Sequence, residues 1–417
     1  MALRAATTPP HITTLVMLTG TSVLTLNMFL PSLAHMAEDF GVDYGVMSLA
    51  IGGYLAMTAI TQIVTGPISD RYGRRPVVLV GMAVFLIASL ICAVTENFTT
   101  FLVGRMMQSA AATGMALSRA AIRDQFDTQE AASKLALIST LMAVAPMMGP
   151  MIGGFMDSVF GWRANFFAYS AAGAILFVLC YVDVGETHHN RSDSFGAQFR
   201  EYPALFTSRR FWGYSVCAAL SVGTFHVFVT AAPLVAPPAF GMGTAELGMW
   251  MGSITLGFMI GTALSSRVSR NFPLTTMMIA GRIVAVVGIG VPGVLIAVGY
   301  VHELIFFGAM ILSGVGNGLT SPNAAAGSLS VRPHLAGSAS GLSAALIVGL
   351  GAIITTVTGN VVTAENGLIL VPFLMVALSV MGLWAALYVR HVDQQEAQAE
   401  ALAVSATIPT HGADQDA

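Results

Sequence analysis

Apolar residues gather along the chain in runs of about twenty, and short polar or glycine-containing turns divide one run from the next. A helix rises about 1.5 Å per residue, so such a run matches the hydrocarbon thickness of a bilayer. Twelve segments qualify, at 13–36, 46–67, 76–95, 100–121, 135–157, 164–182, 211–235, 246–266, 275–299, 304–326, 336–358 and 366–389. The pattern predicts an all-α integral membrane protein. The longest polar interval separates two sets of six, giving an N-terminal bundle over 1–182, a linker over 183–210 and a C-terminal bundle over 211–390. The first run follows a single Arg4 and outlasts the core of a signal sequence, so it is expected to stay as the first span. The polar stretch 391–417 shows no apolar periodicity and is expected to lack structure.

Composition narrows the class. The chain is 55% hydrophobic and 9% charged, with a mean hydropathy of +0.75, too apolar for a soluble domain to hide in one core. A formal net charge of −3 gives no basic field for a nucleic acid. The position of the charges is more telling. With both termini cytoplasmic, fifteen of the eighteen basic residues fall inside: Arg4, Arg71, Arg74, Arg75, Arg119, Arg123, Lys134, Arg191, Arg200, Arg209, Arg210, Arg267, Arg270, Arg332 and Arg390. Arg163 lies outside, and Arg105 and Arg282 lie within spans. The positive-inside rule therefore predicts a multi-pass protein of a bacterial-type inner (plasma) membrane with cytoplasmic termini. Cys92, Cys180 and Cys217 sit in apolar stretches and read as small core residues, and no metal or cofactor motif is present. Each chain holds both halves, so a monomer is expected.

An offset of 199 residues lays Val16–Ala34 over the seventh segment. Ser22 then meets Ser221, Thr25 meets Thr224, Phe29 meets Phe228, and the polar residues Asn27 and His226 coincide. This suggests a parallel internal repeat.

Between the second and third segments runs GPISDRYGRRP, Gly66 to Pro76. It resembles the G-x-x-x-D-R-x-G-R-R signature of the major facilitator superfamily, in which this loop is a conformational latch made here of Gly66, Asp70, Arg71, Gly73, Arg74 and Arg75. Gly66 permits close helix approach, Asp70 is expected to face a neighbouring helix N-terminus, and the arginines are expected to anchor at anionic lipid headgroups. Arg105 and Gln108 resemble the family's R-x-x-Q-G motif, with Ser109 in place of the glycine. Pro146, Gly149, Pro150, Gly153 and Gly154 in the fifth segment resemble the antiporter motif of drug-exporting branches, although ordinary helix packing explains small residues there equally well. Finer likeness comes from LNMFLP (26–31), SRAAIRDQF (118–126), GWRANFF (161–167) and AGSASGL (336–342), which together resemble the Bcr/CflA (bicyclomycin/chloramphenicol resistance) drug:proton antiporters. The resemblance implies a major facilitator fold, with twelve helices in two six-helix bundles around a central cavity. In the second half the latch fades to Gly261–Arg267, without the aspartate.

The sequence departs from that family at Asn27, where an aspartate is usual. Asparagine cannot ionise, so it cannot carry a proton. Depth arithmetic puts Asn27 roughly 13 Å and Arg105 roughly 9 Å from the same end of their helices, so the two are expected to be neighbours. Carbonyl dipoles, cavity water or a bound anion must then compensate Arg105. The titratable group left near mid-depth is His226, a candidate proton carrier, with a hydrogen-bonded packing role as the alternative. Arg282 is expected to snorkel towards the cytoplasmic side. Asn317 and Asn323, beside Gly316, Gly318 and Pro322, suggest a broken tenth helix lining the cavity, with plain interhelical bonding as the alternative.

The expected activity is proton-coupled export of a small amphipathic drug or metabolite by alternating access. The substrate pathway would include Asn27, Arg105, Gln108, His226 and Asn317. A facilitator or importer of a polar or anionic metabolite, favoured by Asn27 and Arg105, remains open, as does a transporter-like sensor. No HExxH or Gly-x-Ser-x-Gly motif points to an enzyme.

Overall fold

The computed structural model describes residues 8–187, 205–269, 271–332 and 336–407. Residues 188–204 of the expected linker and 408–417 of the expected tail lie outside the described residues, as do Arg4, Arg191, Arg200 and Arg270. Twelve helical stretches follow in chain order: α1 (Ile12–Phe40), α2 (Tyr44–Tyr72), α3 (Arg74–Val94), α4 (98–125), α5 (Thr128–Phe160), α6 (Arg163–Asp183), α7 (Arg209–Phe240), α8 (Thr244–Val268), α9 (Leu274–Ala297), α10 (Glu303–Ser330), α11 (Ala336–Val361) and α12 (Gly367–Thr407). Ten of the described helices hold a window apolar enough to cross a membrane, and α4 and α5 fill the fourth and fifth places of the series. Apolar side chains such as Val80, Ile87, Phe155, Val287, Val291, Phe373 and Trp384 point outward, as lipid-facing surfaces require.

The helices are interrupted in places the hydropathy pattern does not mark. In α1 the α-helix stops at Asn27, and a 3-10 turn at Leu30–Ser32 leads into Leu33–Phe40. Pro31 has no N–H to give the Asn27 carbonyl, so the ladder cannot continue across that point. A second 3-10 turn, Gln108–Ala110, divides α4 one turn beyond Arg105. The break expected in the tenth helix does not occur: α10 runs unbroken from Glu303 to Ser330. Its glycines serve close approach instead. Gly314 and Gly318 face the backbone of α8 at Ile254 and Phe258, and Gly316 faces the Gly281 carbonyl of α9.

Within the second half α8, α9 and α12 pack around α7 and α10, and within the first half α1 packs on α4, α5 and α6. The halves meet along α5–α8 and α2–α11. His11 N–H donates to Asp183 and Arg210 pairs with Asp393, so the chain start, the ends of α6 and α12 and the start of α7 share one side, the termini side. The halves close on the opposite, far side. Tyr44 Oη donates to the Thr230 carbonyl at 2.5 Å and Thr244 Oγ1 to the Gly154 carbonyl at 3.4 Å. Gly154, Gly248 and Gly359 allow this contact, because a Cβ on any of them would run into the opposite half. Towards the termini side, Gly66, Gly341 and Gly349 have no atom of a neighbouring helix near the place of a Cβ.

The expected unstructured tail is helical through Thr407. Alanine, glutamate and glutamine need no apolar stripe to favour a helix, and the extension is pinned to α7: Arg210 bonds Asp393 at 2.7 Å and Glu396 at 3.2 Å, and Tyr214 Oη donates to Asp393 at 2.6 Å.

Candidate functional site

Arg105 sits on α4 with no exposed surface, although no carboxylate is beside it. Its Nη2 donates to the Thr25 carbonyl of α1 at 2.8 Å, its Nε to the Ala50 carbonyl of α2 at 3.2 Å, and its Nη1 to Gln108 Oε1 at 2.6 Å. The guanidinium also lies 4.2 Å from the ring centroids of both Phe29 and Tyr54. Gln108 is held in turn by Ser89 Oγ at 2.8 Å. Carbonyl dipoles and two aromatic faces therefore replace a counter-ion. Arg105 reaches α1 two residues before Asn27, at the Thr25 carbonyl, while Asn27 Nδ2 turns back to the Val23 carbonyl at 2.8 Å.

Asn27 and His226 hold equivalent places. A methyl group on Gly149 of α5 would sit 3.1 Å from Asn27 Cβ, and one on Gly351 of α11 would sit 2.6 Å from His226 Nε2. Each residue thus lines the seam between a central helix and the glycine of a flanking helix, α1 with α5 and α7 with α11. Each also buries one polar atom without a hydrogen-bond partner, Asn27 Oδ1 and His226 Nδ1. The other repeat positions correspond as well. Ser22 Oγ reaches α4 at the Ala111 carbonyl, 2.5 Å away, and Ser221 Oγ reaches α10 at Asn317 Oδ1, 2.8 Å away.

In the second half the structure corrects one expectation. Arg282 does not snorkel; it is wholly buried. It lies eight residues into α9, a depth of about 12 Å, further than its side chain can climb. Its Nη2 donates to Asn317 Oδ1 at 2.7 Å and its Nε to Thr320 Oγ1 at 3.0 Å, while Nη1 is buried without a partner. Asn317 Nδ2 donates to Thr224 Oγ1 at 3.0 Å. Asn317 is thus the hub between α7, α9 and α10, a role its sequence neighbours did not reveal. Asn323 makes the plain interhelical bond, to Ser265 Oγ at 2.8 Å.

The latch-like loop is tied within the first half. Asp70 pairs with Arg74, the first residue of α3, at 2.8 Å, and Arg74 also reaches Asp124 at 3.2 Å. The N-terminus of α3 is taken by Glu186, which accepts from the Arg74 N–H at 2.8 Å. Gly73 turns the chain there at φ +98, a conformation that glycine supplies without strain. Arg75 donates to the Val184 and Tyr181 carbonyls. In the antiporter-type motif, Pro146 and Pro150 lie inside a continuous α5, Gly153 packs on the Met28 carbonyl and Gly154 on α8 at Thr244. A groove of about 720 Å³ between α2, α3 and α4, lined by Met57, Ile60, Val64, Val80 and Val103, opens on the lipid side, away from these polar groups.

A sequence model of the Major Facilitator Superfamily matches residues 15–356. Among curated proteins, the uncharacterized MFS-type transporter YdgK of Bacillus subtilis (strain 168) is 28% identical over 346 residues, 81% of this chain and 85% of that protein. The multidrug resistance protein MdtL of Escherichia coli O9:H4 (strain HS) is 27% identical over 341 residues, 78% of this chain and 86% of that protein. Among solved structures, a bacterial homolog to the human lysosomal transporter Spinster, inward-facing and occupied, superposes with a TM-score of 0.71 at 15% identity over 92% of this chain and 96% of that one. A D-xylose-proton symporter superposes at 0.70, with 15% identity, over 91% and 96%.

Proposed function

Because the chain belongs to the major facilitator superfamily, we propose that it exports small amphipathic compounds by alternating access, driven by protons entering in exchange, as a member of the Bcr/CflA branch. The observation that carries this reading is the paired seam of Asn27 against Gly149 and His226 against Gly351. Each seam must slide when the halves rock, and each holds a polar atom that finds no partner in the closed-far-side state. His226 is the member of the pair that titrates, so it carries the proton; a histidine packed for structure alone would have its ring nitrogens satisfied. The likeness to MdtL, a multidrug resistance protein, supports the drug-like substrate class.

The termini side is cytoplasmic in this reading, since the basic residues gather there. The described state is then inward-open, and the chain acts as a monomer in a bacterial-type inner membrane. The units are the bundles 1–182 and 211–390, joined by the linker. Carbonyls, Gln108 and two aromatic rings hold the Arg105 guanidinium in place without a bound anion.

A drug-hypersensitive, efflux-deficient host expressing the protein tests the reading. Expression should raise tolerance to a subset of small amphipathic antibiotics, and Arg105→Ala or His226→Ala should remove the gain at equal protein level. Unchanged tolerance across a broad panel would count against export.

A further inference from the structure

The interior charge of the molecule is one-sided. Seven or more residues in from the ends of the helices, and leaving aside the extension of α12 beyond Arg390, the described residues carry two permanently charged side chains, Arg105 and Arg282, and no carboxylate. Both guanidiniums are wholly buried, one in each half. Neither is neutralised by an opposite charge, and in a low-dielectric interior their field is poorly screened.

The acceptors nearest each guanidinium are also taken. Arg105 takes the carbonyls of Thr25 and Ala50 and the oxygen of Gln108. Arg282 takes Asn317 Oδ1, which accepts from Ser221 as well, so the Asn317 amide turns its donor end to Thr224 on α7. On the first central helix Asn27 offers a buried, unpartnered Oδ1 but cannot become an anion. Arg282 itself keeps one donor, Nη1, buried and unpartnered.

We infer that the transport pathway selects small amphipathic compounds that are neutral or anionic and rejects permanent cations, and that Arg282 sets this selectivity as a positioning residue acting through Asn317. The inference rests on the export reading for the direction of transport but not for the charge selectivity. Arg282 belongs to none of the sequence motifs described above, and it stands behind α7 and α10 rather than in the latch.

The test uses three probes on the full-length protein in inverted vesicles: tetraphenylphosphonium as the cation, chloramphenicol as the neutral compound and 8-anilinonaphthalene-1-sulfonate as the anion. The neutral and anionic probes should be transported, with kcat/KM for the cation at least about tenfold lower. Arg282→Met should move the anion-to-cation ratio of kcat/KM about tenfold towards the cation, the scale set by one unit charge acting across roughly 10 Å of partly hydrated interior. Arg282→Lys should restore the ratio. A merely structural arginine would lower transport of all three probes together and leave the ratio unchanged, which overturns the inference. Asn27→Asp, with Arg282 intact, should admit the cation and keeps the question open to decision where Arg282→Met does not fold. If the wild type moves none of the probes, export fails but charge selectivity is still read from binding to the purified protein. Equal or tighter binding of the cation would then overturn the inference by itself.

Discussion

Arg105 keeps a full charge in the membrane by distributing it over two backbone carbonyls, a glutamine and two aromatic faces. The planar fork matters, because an ammonium cannot reach the Thr25 and Ala50 carbonyls together. Arg105→Lys is therefore expected to destabilise the fold by about 1–3 kcal/mol, the cost of buried acceptors left unpaired. A lowered unfolding midpoint in detergent would show it, and a midpoint equal to wild type would contradict it. His226→Gln keeps a polar side chain that cannot titrate. It should fold normally yet lose the dependence of transport on external pH, which an unchanged pH profile would refute. At this scale the sequence was informative where a residue stood in a motif, as with Arg105 and Gln108. It was silent about partners reached through backbone atoms, because Thr25 and Ala50 contribute only carbonyls. Arg282 was misread as snorkelling because nearness to one helix end was weighed without the length of the side chain, and Asn317 gave no sign of joining three helices.

At the scale of elements, a helix lies at each of the twelve segments that hydropathy marked, ten of them with a window apolar enough to cross a membrane, and the helices run past the predicted ends mainly where polar residues continue a helix into the interface. Breaks were harder to place. Proline and glycine were expected to break α10, where the glycines instead let α8 and α9 approach. The interruption lies in α1 at Asn27, where Pro31 withholds a hydrogen bond. The same trade between conformation and contact makes two glycines testable. Gly73→Ala places a side chain at φ +98 and against the Glu186 carboxylate, and should cost about 1–3 kcal/mol while loosening the latch. A thermal-unfolding series would detect the loss, and an unshifted transition would dismiss it. Gly154→Leu puts a side chain into the α8 backbone at Thr244, so the far side should no longer close. Maleimide labelling of a cysteine placed at Ser48, which packs on Gly359, should rise several-fold in that variant; labelling at the wild-type level would show that this contact does not hold the gate.

For the whole molecule, the two halves share a plan and divide the work. Each presents a buried guanidinium system to the same turn of its first helix, Arg105 to Thr25 directly and Arg282 to Thr224 through Asn317. The first half keeps the latch-like loop, and the second keeps the titratable member of the Asn27/His226 pair. The repeat was legible from a constant offset of 199 residues because both central helices keep serine, threonine and phenylalanine at matching depths. Closure on the far side was not legible, since it depends on which glycines of opposite halves meet. The measurement that bears most directly on proton-driven export is uptake of a tolerated compound, first identified in the hypersensitive host, into inverted vesicles with and without a collapsed pH gradient. Uptake should require the gradient and fall to the level of vesicles lacking the protein when it is dissipated. Uptake that continues unchanged after the gradient is dissipated would contradict the account.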